Sequence, residues 1–203
     1  MMLLAITPGL GFDREGWRSV LRSGVDAFLL REKDIPARVL LDTARWCQDT
    51  APEVELWVAG RLDVAYVAGC GFHAPEGHPD VLPGLVPLSR PLHDESQWAT
   101  RSTADQLLIS PVFPSPGKGK PWGWGRCRTF LDGLPETGPR LLALGGIDPF
   151  NAPRIRHPRL AGIAAIRPFW NGDPIQIVAQ FRAGWATRPS ESQGKGRSPL
   201  DLA

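Results

Sequence analysis

Short apolar runs alternate with longer amphipathic stretches along nearly the whole chain. Residues 2–6, MLLAI, form the first run, and residues 25–32, 54–59, 69–74, 84–90, 105–113, 140–146 and 160–169 form seven more. Most are short and rich in Val, Ile or Leu, which is the pattern of strands covered on both faces. Between them, helices are expected over 13–22, 36–50, 61–68, 93–102, 126–133, 149–156 and 173–187. Asp13 stands where an N-cap belongs and Pro36 in a first turn. An open doubly wound sheet rarely needs eight such units. The pattern therefore predicts a single α/β domain, a small (β/α)8 TIM barrel over residues 1–187. Residues 188–203 are rich in Ser, Gly and Pro with almost no apolar content, and read as a flexible tail.

Composition narrows the class without naming a function. Hydrophobic residues make up 42% and charged residues 22% of 203 positions, ordinary for a soluble domain. A net charge of +2 without a dense basic run argues against a nucleic-acid surface. No run of about 18 apolar residues occurs, so a spanning helix and a membrane partner are not expected. Cys47, Cys70 and Cys127 are odd in number and form no CxxC pair, which argues against a disulfide framework or a zinc site. Reduced thiols and a cytoplasmic location are the expectation, and a homodimer is compatible with the sequence.

In a barrel of this kind, chemistry sits at the C-terminal ends of the strands. That rule collects Arg31, Glu32 and Lys33 after the second strand, His73 at the fourth, and Ser115, Lys118 and Lys120 after the sixth. It adds Gly145 and Gly146 after the seventh strand, and Ile166 and Arg167 after the eighth. Arg31 and Lys33 lie two apart, so an extended backbone points them to one side. A guanidinium fork and an ammonium point charge both suit phosphate oxygens. Gly145 and Gly146 let backbone N–H groups approach an anion, and a phosphate between the last two loops recurs in barrels. The stretch LISPVFPSPGKGKPWG, residues 108–123, breaks from a strand into prolines, a hydroxyl, two lysines and glycines. It predicts a lid over 115–120 that orders on an anionic ligand. A small phosphorylated ligand accounts for all of these residues together.

The motifs LLREKD, RLDVAYVAGCGFHAPEGH, ISPVFPS, LALGGID and GIAAI occur in that order. With them the chain resembles the thiamine phosphate synthase and TenI (thiazole tautomerase) superfamily of small barrels, from about residue 3 to residue 185. The resemblance implies a phosphate turn at Gly145 and Gly146 facing the backbone of Ile166 and Arg167. It implies diphosphate contacts from Arg31 and Lys33, a ligand hydroxyl at Ser115, and a loop lysine at Lys118 or Lys120. The departures are specific. Where a synthase reads Asn-Asp before the Arg and uses the Asp to bind magnesium, this chain has Ala59 and Gly60. His73 matches the family histidine, but the place of the second magnesium carboxylate falls near Gly77 or His78. Leu29 stands in place of a Gln, and Pro111 in place of the histidine of TenI-type members, leaving His73 and His78 as substitutes.

The leading expectation is a metal-independent, TenI-like thiazole tautomerase binding a phosphorylated thiazole or thiamine phosphate. Its candidate catalytic residues are His73, Ser115, Lys118 and Lys120; Arg31, Lys33, Gly145, Gly146, Ile166 and Arg167 would hold the substrate. No cofactor is expected, and magnesium only for the first alternative, a thiamine phosphate synthase with an altered magnesium site. The second alternative is a non-catalytic phosphate-ligand-binding or regulatory relative.

Overall fold

In a computed structural model, which describes residues 1–82 and 84–186, eight parallel strands close into one barrel in chain order. The strands are β1 Met2–Ile6, β2 Ala27–Leu30, β3 Glu55–Ala59, β4 Gly71–His73, β5 Leu88–Leu92, β6 Gln106–Ile109, β7 Arg140–Leu144 and β8 Gly162–Ala165. The helices are α1 Arg14–Leu21, α2 Ala37–Thr50, α3 Leu62–Ala68, α4 Trp98–Arg101, α5 Trp124–Asp132, α6 Arg167–Trp170 and α7 Pro174–Ala186, with 3₁₀ turns at Glu95–Gln97 and Ala152–Ile155. The tail expected over 188–203 lies outside the described residues.

Strand alternation separates two cores. One set of side chains fills the barrel interior: Leu4, Ile6, Ala27, Leu29, Trp57, Leu108, Leu142 and Ala164. The other set, including Leu3, Phe28, Leu30, Val58, Phe72 and Ile109, packs outward beneath the helices against Trp17, Leu40 and Phe181. Trp57 is the largest interior side chain. It pairs in register with Gly71, where a Cβ would lie 2.3 Å from the indole. The glycine thus makes room for the ring. The barrel closes where Met2 and Leu3 pair with Gly162 and Ile163, and a Cβ on Gly162 would fall 1.9 Å from the Met2 carbonyl oxygen. At the N-terminal end, Arg140 forms a two-pronged ion pair with Glu55 at 2.7 and 2.8 Å, and so closes the floor.

Several expected boundaries move, each for a local reason. The second strand stops at Leu30 because the Arg31 N–H turns to the Thr7 hydroxyl, 2.8 Å away. The eighth ends at Ala165, because Ile166 leaves extended geometry and Pro168 sits in the first turn of α6. No α-helix forms over 149–156. Pro153 removes the hydrogen-bond donor an α-turn needs, and a 3₁₀ turn results. The fifth strand runs to Leu92 instead of Arg90, through Pro91. Ser89 bonds toward β4 through Ala74 N–H, so Pro91, two residues on, faces the same side just beyond the end of β4. No ladder donor is needed there. The Pro91 carbonyl is satisfied instead by the Arg101 guanidinium at 2.5 Å.

Candidate functional site

The C-terminal ends of the strands surround a cleft of about 830 Å³, joined by a smaller recess of about 210 Å³ beneath the loop that follows β6. Arg31, Lys33, His73, Ser115, Lys118, Gly145 and Ile166 line the cleft. Gly146 and Arg167 line the recess, together with Ser115, Lys118, Gly145 and Ile166. Lys120 is exposed and borders neither cavity, and His78 likewise lies outside both.

The glycine turn has a steric reason for its composition. Gly145 and Gly146 have φ of +99° and +64°, and a Cβ on either would meet residues 111–114 at 2.6–2.7 Å. These two positions let the loop after β6 lie against the end of β7. Phe113 N–H donates to the Gly145 carbonyl, and Val112 N–H to that of Leu144. The same closeness brings Ser115 over the recess.

The stretch quoted above is a stapled excursion. Trp122 and Gly123 N–H donate back to the carbonyls of Pro111 and Val112, so the base is tied on both sides. Between the staples, Lys118 N–H donates to the Ser115 carbonyl at 3.1 Å, with Gly117 at φ +70°. Pro116 and Gly117 occupy the central positions that a type II turn favours. The turn directs Lys118 to the cleft and leaves Lys120 beyond it.

Glu32 has a different place from its two cationic neighbours. It is 6% exposed, and its carboxylate accepts from Gly9 N–H at 3.2 Å and Gly11 N–H at 2.8 Å. It therefore holds the β1–α1 loop from the edge of the cleft that Arg31 and Lys33 also line.

Three further cleft residues are not singled out by the sequence pattern: Arg61, Glu76 and His93. His93 follows β5, whose expected end at Arg90 hid it; a polar residue just past Leu92 was the available signal. Its Nδ1 lies 2.6 Å from the Ser110 carbonyl oxygen and its Nε2 3.5 Å from Glu76. Glu76 lies one position before the pair where a second acid was sought. Its carboxylate accepts from Arg101 at 2.6 and 3.0 Å and from Gln97 at 2.8 Å. The hydrogen bonds from Arg101 hold its carboxyl below the usual range.

His73 lies deep in the cleft, and Nδ1 is 2.9 Å from Ser89 Oγ. Burial, followed by the nearby charges of Arg31 and His93, lowers its pKa from 6.5 to about 4. It is thus neutral at physiological pH and a weak base.

A magnesium ion needs open carboxylate oxygens in near-octahedral array. Here Gly60 carries no side chain, Glu32 is committed to two amides, and Glu76 is committed to Arg101 and Gln97. Among the described residues no group of three His, Cys, Asp or Glu is arranged to hold a metal. The donor set does not fit the magnesium site that the resemblance implies for a synthase. Arg61 is held by Asp63 at 2.6 and 2.9 Å, and Arg31, Lys33 and Lys118 beside two occupied carboxylates leave the cleft suited to an anion.

The comparisons agree with this architecture. A relative from Geobacter sulfurreducens is 32% identical over 164 residues, covering 72% of this chain and 74% of its own length. The thiamine-phosphate synthase of Syntrophomonas wolfei is 29% identical over 181 residues, covering 80% and 83%. The thiamine phosphate pyrophosphorylase of Pyrococcus furiosus superposes with a TM-score of 0.79 at 20% identity, over 90% of this chain and 94% of its own. The family model described as thiamine monophosphate synthase matches residues 13–169, and the chain belongs to that family.

Proposed function

We propose that the chain is a transferase of the thiamine-phosphate synthase type, binding a phosphorylated thiazole and a pyrimidine diphosphate in the cleft. The convergence of Arg31, Lys33 and Lys118 on one cleft beside a glycine-lined recess carries this reading. The names of the relatives support it over the tautomerase expectation. In this reaction the thiazole nitrogen forms a bond to the exocyclic methylene carbon of the pyrimidine. The bond from that carbon to oxygen breaks, and diphosphate leaves with the electron pair. Arg31, Lys33 and Lys118 would offset the charge that develops on the leaving oxygen, an interaction stronger in the transition state than before it. The recess at Ser115, Gly145, Gly146 and Arg167 would seat the thiazole phosphate. Ile6, Leu29, Leu108 and Leu144 line the cleft and would exclude water from the reacting carbon. Magnesium would belong to this reading only with an altered site, since Gly60, Glu32 and Glu76 offer it no open carboxylate.

One observation favours a second reading. The His93 imidazole stands beside Ser110 and Pro111, the place where the tautomerase resemblance expects a histidine, with Glu76 behind it. His93 would then move the proton of a metal-independent thiazole tautomerase. One assay separates the two: purified protein with aminopyrimidine methyl diphosphate and thiazole phosphate, with and without magnesium or chelator, scored for thiamine phosphate. Formation of thiamine phosphate supports the transferase. No product in either condition, together with interconversion of thiazole carboxylate phosphate tautomers, would replace it with the tautomerase.

A further inference from the structure

We propose that Ser89 and Gln106 are positioning residues that hold His73 as the Nε2–H tautomer, presenting a hydrogen-bond donor to the cleft. The argument starts from hydrogen counting. Gln106 Nε2 lies 3.3 Å from Ser89 Oγ, and Ser89 Oγ lies 2.9 Å from His73 Nδ1. An amide nitrogen only donates, so Ser89 accepts from Gln106 and keeps its own hydrogen for His73. Nδ1 must then accept, and the ring hydrogen resides on Nε2. In the other neutral tautomer, Ser89 would accept from both sides, and its hydroxyl hydrogen would have no acceptor. Ser89 is 1% exposed, so water offers little relief.

Turning the Gln106 amide over would rescue that tautomer, because Ser89 could then donate to Oε1. The amino group would instead be left without an acceptor. Gln106 is also 1% exposed, and its Oε1 has no partner as it stands. An orphaned carbonyl oxygen is tolerated more often in protein interiors than an orphaned N–H. The orientation that donates to Ser89 therefore leaves the lesser deficit. The register supports the chain of contacts: His73 pairs with Ser89 and Ser89 with Gln106, so the three residues lie side by side across β4, β5 and β6. With Nδ1 occupied, Nε2 is the ring nitrogen available to the cleft that His73 lines.

The consequence for ligand class is specific. The deep end of the ligand carries a neutral lone pair, a heteroaromatic ring nitrogen or a carbonyl oxygen, while its phosphate takes the cationic rim. That second part rests on the cleft being the ligand site of the proposed function; the tautomer does not.

Long-range ¹H–¹⁵N correlation spectra of histidine-labelled protein at pH 7 test the proposal directly. The chain has four histidines, and His73→Asn identifies the relevant signals. Should that variant not fold, replacing His78, His93 and His157 singly assigns the remainder. The expected result is a bare Nδ1 and a protonated Nε2 for His73. A protonated Nδ1 in the parent protein would overturn the proposal. Ser89→Ala should mix the two tautomers and Ser89→Thr restore the parent pattern; an Ala variant with an unchanged tautomer would remove Ser89 from the role. Adding aminopyrimidine methyl diphosphate should shift the Nε2–H resonance. A correct tautomer that ignores aminopyrimidine methyl diphosphate would uphold the positioning by Ser89 and Gln106 and count against the ligand reading.

Discussion

His73 shows how much one ring contributes through its surroundings. Its pKa falls from 6.5 to about 4, chiefly because the ring is desolvated and then because Arg31 and His93 are near. The unfolded chain takes up a proton below pH 6.5, whereas the folded chain resists until about pH 4. Stability from this residue is therefore complete above pH 6.5 and is lost as the pH falls toward 4. The shift corresponds to at most roughly 3 kcal/mol. His73→Gln should flatten denaturation midpoints between those pH values. An unchanged slope would mean that other groups govern acid unfolding. Gly71 makes a steric prediction at the same scale. A methyl there would lie within 2.3 Å of the Trp57 indole, so Gly71→Ala should destabilise by about 1–3 kcal/mol in urea unfolding. Gly71→Ala combined with Trp57→Phe should recover part of that loss.

The loop after β6 is the element on which ligand binding depends most. Its base is stapled at Val112, Phe113, Trp122 and Gly123, so any movement is confined to the residues between. The Ser115–Lys118 turn separates the two lysines: Lys118 borders both cavities and Lys120 borders neither. Lys118→Ala should weaken calorimetric binding of thiazole phosphate by about 1.5–3 kcal/mol, the range for a hydrogen bond to a charged group. Lys120→Ala should change it by less than about 0.5 kcal/mol, as an exposed substitution does. Equal losses in both variants would show a loop that folds over the ligand farther than its present turn. Substitution at Gly146 is a poor probe of phosphate binding, because the new side chain would strike Phe113 and Pro114 before it reached a ligand.

At the scale of the molecule, stability depends on ring closure. The seam between β1 and β8 has Gly162 against the Met2 backbone with no space for a Cβ. Gly162→Ala should therefore disturb every strand at once. The expected result is a loss of about 1–3 kcal/mol or more, seen as one cooperative shift in both the far- and near-ultraviolet transitions. A local defect that leaves thermal unfolding unchanged would mean that the seam can open without the rest of the barrel.

Some of this was settled by covalent order alone. Apolar runs at strand length, separated by 3.6-period stretches, specify eight parallel strands, because runs buried on both faces need helices to cover them. In a barrel the C-terminal rim collects Arg31, Lys33, Ser115 and Lys118, since position at a strand end is a property of the chain. The rest required three dimensions. His93 and Glu76 are 17 residues apart in the chain and meet only because β4 and β5 end side by side. Glu32 shares a charged triplet with Arg31 and Lys33, yet the alternating backbone turns it under the β1–α1 loop. Pro91 carries the fifth strand past its expected end at residue 90, because the short β4 leaves no partner beside it. Gly145 and Gly146 read as anion ligands, and the fold gives them a second duty, the close passage of residues 111–114. Hydrogen-bond partners, burial and steric clearance arise between segments distant in sequence, and a periodic pattern carries no record of which segments become neighbours.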